Sequence, residues 1–259
     1  MRRWGWRKMS DWAPKDVCRD GRSGRQRAVV LALGLGASIL IFTLAAVGLG
    51  FWTPWAHRYA QGVDVSHHQG AIDWRALAAD NVAFAYIKAS EGADHVDTRF
   101  AVNWEQAGDA GLYRGAYHFF TLCQSGARQA ANFIAVVPVS PGALPPALDL
   151  EHMGPCREGP TITDIVGEMR IWLDMVEARY GARPLIYTTR EFHDAHLRRV
   201  TGERFWIRSI GVAPRFRRDD WVIWQHHNRG RKRGVQGAVD LNAFRGDAEA
   251  LAEFASTPS

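Results

Sequence analysis

The stretch Ala143-Leu-Pro-Pro-Ala-Leu-Asp-Leu-Glu151 is an apolar run that ends in two carboxylates two residues apart. On a β-strand, residues i and i+2 point to the same side. Asp149 and Glu151 therefore share a face, with Cα atoms roughly 6.5–7 Å apart. Two acids facing one cavity at that spacing suit general acid chemistry on a glycosidic bond. Acids are common at strand ends, so the pattern gains its weight from its neighbours. Gly62-Val-Asp64-Val-Ser66 and Val239-Asp240-Leu-Asn242 also carry acids in strand-like runs.

Outward from this segment, strand-like and helix-like runs alternate. The strand candidates are 62–66, 82–90, 111–120, 143–151, 183–189, 204–211 and 221–227. Helical candidates fall at 72–80, 98–110 and 126–137. The clearest is 161–180, where Ile165, Met169, Trp172, Val176 and Tyr180 recur at helical spacing. Thr161 or Thr163 is positioned to cap that helix and Gly181 to stop it. Such alternation predicts a parallel α/β sheet, and closure into a barrel is the natural way to cover it. Near-continuous apolar strands predict burial on both faces. The helical signal fades after about residue 200, which argues against a regular eight-fold barrel.

The first quarter of the chain reads differently. Residues 1–27 hold nine basic residues against three acidic ones, a net +6, whereas the whole 259-residue chain is +5. The body from 28 to 259 is thus −1, and a nucleic-acid partner loses its electrostatic support. Residues 28–52 carry no charge and are long enough to span a bilayer. Trp52 and Trp55 follow at the interfacial position, and the basic segment before the span predicts a cytoplasmic N-terminus. The expected organisation is a basic cytoplasmic tail (1–27), an uncleaved transmembrane anchor (28–52), a linker (53–60), an exported barrel domain (61–250) and a disordered C-terminus (251–259). This places a single-pass protein in the inner (cytoplasmic) membrane with its folded domain periplasmic or extracellular. Cys123 and Cys156 each fall a few residues past a strand end, so an oxidising compartment makes a disulfide between them plausible, with two unpaired thiols as the alternative.

Active sites of parallel α/β barrels form at the C-terminal ends of the strands. Those ends hold Asp64, Ser66 and His67; Lys88, Ser90 and Glu91; Tyr117 and His118; Asp149 and Glu151; Tyr187; and Trp224, Gln225 and His226. Carboxylates bind hydroxyls and deliver protons, while aromatic rings stack on sugar faces. The histidines form no H-E-x-x-H or C-x-x-C arrangement, so neither a metal nor another cofactor is expected. Arg229-Gly-Arg-Lys-Arg233 is read as a solvated loop.

The ordered segments GVDVSHHQGAIDW, YIKASEG, GLYRGAYHFF, LPPALDLE, PLIYTT, WQHH and GAVDLNAF resemble glycoside hydrolase family 25, the Chalaropsis-type lysozymes or N-acetylmuramidases, over roughly residues 60–245. The resemblance implies an irregular β/α barrel with fewer helices than strands. It also implies cleavage of the β-1,4 bond between N-acetylmuramic acid and N-acetylglucosamine in peptidoglycan. Glu151 becomes the general acid, and Asp149 the group that assists the substrate acetamido. Asp64 and Asp240 complete an acidic floor. Tyr117, Tyr187, Trp224, Gln225 and Lys88 are the candidate substrate-binding residues. Arg208-Ser209 and His226-His227 depart from the family pattern, and Arg208 is either solvated or a contact for the acidic peptide stem. The competing function is a membrane-anchored peptidoglycan-binding scaffold without catalysis, from which the presence of all four acids argues away.

Overall fold

Among the described residues, eight of nine strands close on themselves, and the order in which they pair follows from what connects them. The computed structural model describes residues 29, 31, 33–41, 58–152 and 163–256. The strands are β1 (Ala60–Val65), β2 (Phe84–Glu91), β3 (His95–Val96), β4 (Tyr113–Phe119), β5 (Ala147–Leu150), β6 (Leu185–Thr188), β7 (Phe205–Arg208), β8 (Trp221–Gly230) and β9 (Val239–Phe244). The sheet runs β1-β9-β8-β7-β6-β5-β4-β2-β3, and pairing of β1 with β2 closes the barrel and leaves β3 as a short edge. Neighbours from β1 through β2 and β4 to β8 are parallel, whereas β9 is antiparallel to both β8 and β1. A parallel return needs a crossover of a dozen or more residues. Only 231–238 separate β8 from β9, so the chain comes back as a hairpin. The expectation of a parallel sheet fails at this strand and at the two-residue β3, which pairs antiparallel with β2.

The helices are α1 (Trp74–Ala78), α2 (Phe100–Asp109), α3 (Gly126–Val136), α4 (Ile165–Tyr180) and α5 (Ala248–Ser256), with a short helical turn over Arg190–Leu197. The chain from β7 to β8 has no helix, as the fading periodicity predicted. α4 is capped by Asp164, whose side chain accepts from the Gly167 N–H, and not by either threonine. Gly181 ends it at φ 71°, the left-handed conformation that glycine adopts without a Cβ penalty. The apolar stripe of α4 buries Met169, Trp172, Leu173 and Val176 completely, and Trp172 meets Phe133 of α3 at 5.3 Å between ring centroids.

Residues 251–256, expected to be disordered, complete α5. Leu251 is fully buried, and Phe254 packs on Phe244 with ring centroids 5.2 Å apart. These side chains join Phe84, Leu185 and Phe244 at the N-terminal ends of the parallel strands, so α5 stoppers the end of the barrel away from the acids. Higher up, the interior fills by pairing large with small. A Cβ on Gly62 would fall 2.3 Å from the Phe84 ring, and one on Gly115 2.4 Å from the Tyr86 ring.

The chain divides into two units, residues 1–45 and 46–259, of which the barrel belongs to the second. In the first, residues 29, 31 and 33–41 are helical and exposed. No helix among the described residues is long and apolar enough to cross a membrane. The rest of the span expected at 28–52 and the basic tail 1–27 lie outside the described residues. Cys123 is disulfide-bonded. The chain's other cysteines, Cys18 and Cys156, lie outside the described residues.

Candidate active site

Strand alternation decides which side chains reach the barrel mouth. On β5, Leu148 and Leu150 face the outer layer under the helices, so Ala147, Asp149 and, just past the strand, Glu151 face inward. The same rule turns Asp64 inward between Val63 and Val65, and Tyr187 inward beside Ile186. Together with Lys88, Tyr117, Trp206, Gln225 and Asp240, these residues line a cavity of about 310 Å³ at the C-terminal ends of the parallel strands. Ser66, His68, Gln69 and Phe119 form its rim.

Trp224 is not among them. It adjoins Gln225 on β8, and two adjacent strand residues cannot both face inward. Its indole is fully buried in the outer layer and donates to the Ser209 carbonyl at 2.7 Å. The tryptophan in the cavity is Trp206, which reading by parity from Arg208 would have found. Trp206 stands within ring contact of Tyr187 (5.0 Å) and Tyr117 (6.3 Å). Ser90 and His118, also noted at strand ends, hydrogen-bond to each other at 2.8 Å, with His118 among the outer-layer rings. A bulge in β2 between Lys88 and Ser90 changes the facing there.

A single hydrogen-bonded chain fixes the acidic floor. Trp206 Nε1 donates to Asn242 Oδ1 (2.8 Å), and Asn242 Nδ2 donates to Asp64 Oδ2 (2.7 Å). Gln225 Nε2 donates to the same Asp64 oxygen (2.9 Å), while the Tyr187 hydroxyl donates to Gln225 Oε1 (3.1 Å). Asn242 is thus a site residue that sequence reasoning quoted within a motif but did not single out. Asp240 is the direct cross-strand partner of Asp64 and hydrogen-bonds to it. Burial first, then the Asp64 charge, push the Asp240 carboxyl up to about 8. Asp64 is also raised by burial, but three donors, Asn242, Gln225 and Asp240, favour its ionised form. Two buried carboxyls in hydrogen-bond contact favour sharing a proton, and the donors on Asp64 make Asp240 the better place for it.

The second pair is Asp149 and Glu151. Burial, and then the Glu151 charge, drive Asp149 far above the ordinary carboxylate range. Burial raises Glu151 too, opposed by Arg208, whose Nη1 lies 4.0 Å from Glu151 Oε2. Asp149 Oδ1 is buried with no hydrogen-bond partner among the described residues. An orphaned buried acceptor costs free energy until a donor arrives, which makes this oxygen a receptor for an N–H. Lys88 supplies local positive charge, paired with Glu91 at 2.5 Å and lying 4.9 Å over the Phe119 ring.

The arrangement offers a proton donor, an unfilled acceptor beside it and aromatic walls. Comparison with known proteins agrees with that chemistry. The sequence pattern of glycosyl hydrolases family 25 matches residues 63–235. An uncharacterized protein, YegX, from Escherichia coli O6:H1 is 38% identical over 200 residues, covering 74% of this chain and 72% of YegX. Lysozyme M1 from Streptomyces globisporus is 37% identical over 217 residues, covering 76% of this chain and 71% of the lysozyme. The solved structure of a family 25 glycosyl hydrolase from Bacillus anthracis superposes with a TM-score of 0.71 at 37% identity, covering 76% of this chain and 94% of that one.

Proposed function

Because the chain belongs to glycosyl hydrolase family 25, we propose that it is a muramidase, cleaving the β-1,4 bond between N-acetylmuramic acid and N-acetylglucosamine of peptidoglycan. The observation that carries this reading is the orphaned Asp149 Oδ1 beside Glu151 in an aromatic-walled cavity. The sugar's 2-acetamido N–H is the donor that this oxygen lacks. Once that hydrogen bond forms, the Asp149 anion is stabilised and the proton shared with Glu151 moves onto Glu151. Glu151 then protonates the glycosidic oxygen as the C1–O bond breaks. The acetamido oxygen closes on C1, with Asp149 balancing the positive charge that develops on the ring so formed. Water opens it and gives its proton to Glu151, restoring the acid. Substrate assistance of this kind is a known alternative to a protein nucleophile. The Asp64–Asp240 pair, held by Asn242 and Gln225, serves as the fixed charge of the floor, and Trp206, Tyr117 and Tyr187 as sugar-facing surface. All four acids in one cavity favour catalysis over a scaffold.

Residues 28–52 are taken as a single-pass anchor in the inner membrane, with the tail cytoplasmic and the barrel periplasmic or extracellular. The uncharged stretch, the +6 tail and the disulfide at Cys123, for which Cys156 is the proposed partner, support that placement. The test is digestion of purified peptidoglycan by the full chain in detergent, borohydride reduction and mass spectrometry. Reduced muramic acid ends are expected; reduced glucosamine ends would replace the muramidase with a glucosaminidase. Glu151→Gln is expected to lose about 10²–10⁴-fold in rate.

A further inference from the structure

Beside the catalytic cavity lies a second and larger one, about 600 Å³, between the C-terminal ends of β6 and β7. The muramidase chemistry uses none of it except Arg208, which lines the groove and also reaches to 4.0 Å from Glu151. Arg208 thus joins the groove to the acid. Two further arginines, Arg190 and Arg215, line it against a single carboxylate, Glu191. Arg190 is already paired with Asp194 at 2.6 Å and lies 5.2 Å over the Phe216 ring. Arg215 is exposed and makes no ion pair among the described residues. Ile210 and Val212 supply an apolar wall, 38% and 46% exposed.

The wall is built before any ligand arrives. The Ser209 N–H donates to the Gln225 carbonyl and the Gly211 N–H to the His226 carbonyl, both at 3.0 Å. Trp224, turned away from the sugar site, holds the Ser209 carbonyl from below. Arg217, in the left-handed region at φ 53°, donates to His193 Nε2 at 3.0 Å and to the Leu197 carbonyl, tying the β7–β8 loop to the turn after β6. A preformed basic groove with apolar sides selects a short anionic peptide.

Building on the muramidase reading, we propose that this groove binds the peptide stem of the peptidoglycan substrate, its free carboxylates meeting Arg208, Arg215 and Arg190. The stem is attached through a lactyl ether on the sugar carbon next to the one carrying the acetamido group. A sugar whose acetamido group engages Asp149 thus carries its peptide one ring carbon away, beside Glu151, from which Arg208 of the groove lies 4.0 Å.

The test compares stem-bearing glycan chains with chains from the same wall stripped of peptide by an amidase. Kinetics are measured for the full chain in detergent. Wild type is expected to show a lower KM on stem-bearing chains. Arg215→Ala, combined with Arg190→Ala, is expected to raise that KM about five- to tenfold, the effect of losing two partly exposed charged contacts. kcat, and all kinetics on stripped chains, should stay at the wild-type level. Arg215→Ala alone breaks no ion pair of the fold and is expected to give part of the effect, with Arg215→Lys restoring it. Equal wild-type KM on both substrates overturns the groove assignment while leaving the muramidase intact. So does a variant that changes both substrates alike or neither. Failure of wild type to cleave either chain overturns the muramidase and the groove together.

Discussion

Asp240→Asn tests the shared proton at the floor of the site through stability and not only through activity. In the folded chain Asp240 titrates at about 8, against an ordinary 3.8. Between those values the fold holds a proton that the unfolded chain has released. The stabilisation is fully present below about pH 4 and is lost as the pH rises through about 8, after which the curve levels. A rise of about four units at ~1.4 kcal/mol each sets a ceiling near 6 kcal/mol. Asp240 opens to the cavity and Asp64 shares the proton, so solvent and relaxation of the pair reduce this to about 2–3 kcal/mol. The asparagine keeps a donor for Asp64 and has no proton to lose. In a domain of this size about 2–3 kcal/mol corresponds to a Tm difference of roughly 5–10 °C. Thermal melts of wild type and Asp240→Asn from pH 5 to 9 should therefore diverge, with wild type losing roughly that much more as the pH rises. Asp149 and Glu151 are raised in both chains and largely cancel in the comparison, whereas Asp64 titrates with Asp240 and belongs to the difference. Parallel Tm–pH curves would refute the shared proton. The same titration places the alkaline limb of wild-type activity near pH 8, where two charges come to face each other.

Trp206→Phe keeps a ring in the cavity but strands the buried Asn242 Oδ1. It is expected to cost about 1–3 kcal/mol in denaturant unfolding and to raise KM, whereas Trp224→Phe should leave KM on stripped chains unchanged. Gly62→Ala drives a methyl into the Phe84 ring and is expected to destabilise by about 1–3 kcal/mol in the same assay. Asp149→Asn is expected to be as impaired as Glu151→Gln in wall digestion. A near wild-type Asp149→Asn would end substrate assistance while leaving Glu151 as the acid. A periplasmic reporter fused after Ser259 should be active outside the cytoplasm and silent within it; the reverse ends the anchored topology.

Strand and helix order was legible in the chain because both are written in short-range periodicity. Candidate runs around Asp64, Lys88, Tyr117, Asp149 and Tyr187 fall on observed strands, and helical spacing from Ile165 to Tyr180 became α4. The acids were legible for the same reason, since a two-residue spacing fixes a shared face wherever the strand lies. What depends on register was not. Trp224 and Gln225 were both assigned to the sugar although neighbours on a strand must face opposite ways, and only pairing of β8 with β7 and β9 showed which one turns inward. Residues 251–256 read as a tail because their apolar face has no partner until the barrel's lower end exists to receive Leu251.

The sequence by itself determined the family, the barrel class and which acids stand in strand-like runs, since motifs and periodicity are local properties of the chain. Only the tertiary structure decided that β9 runs backwards, that Asp240 meets Asp64 across a strand pair, that Asp149 keeps an unfilled acceptor, and that arginines from two loops share a groove beside Glu151. The physical reason is common to all four. Strand direction, burial of charge and the meeting of distant loops are set by which segments become neighbours when the barrel closes, and no stretch of sequence carries that information alone.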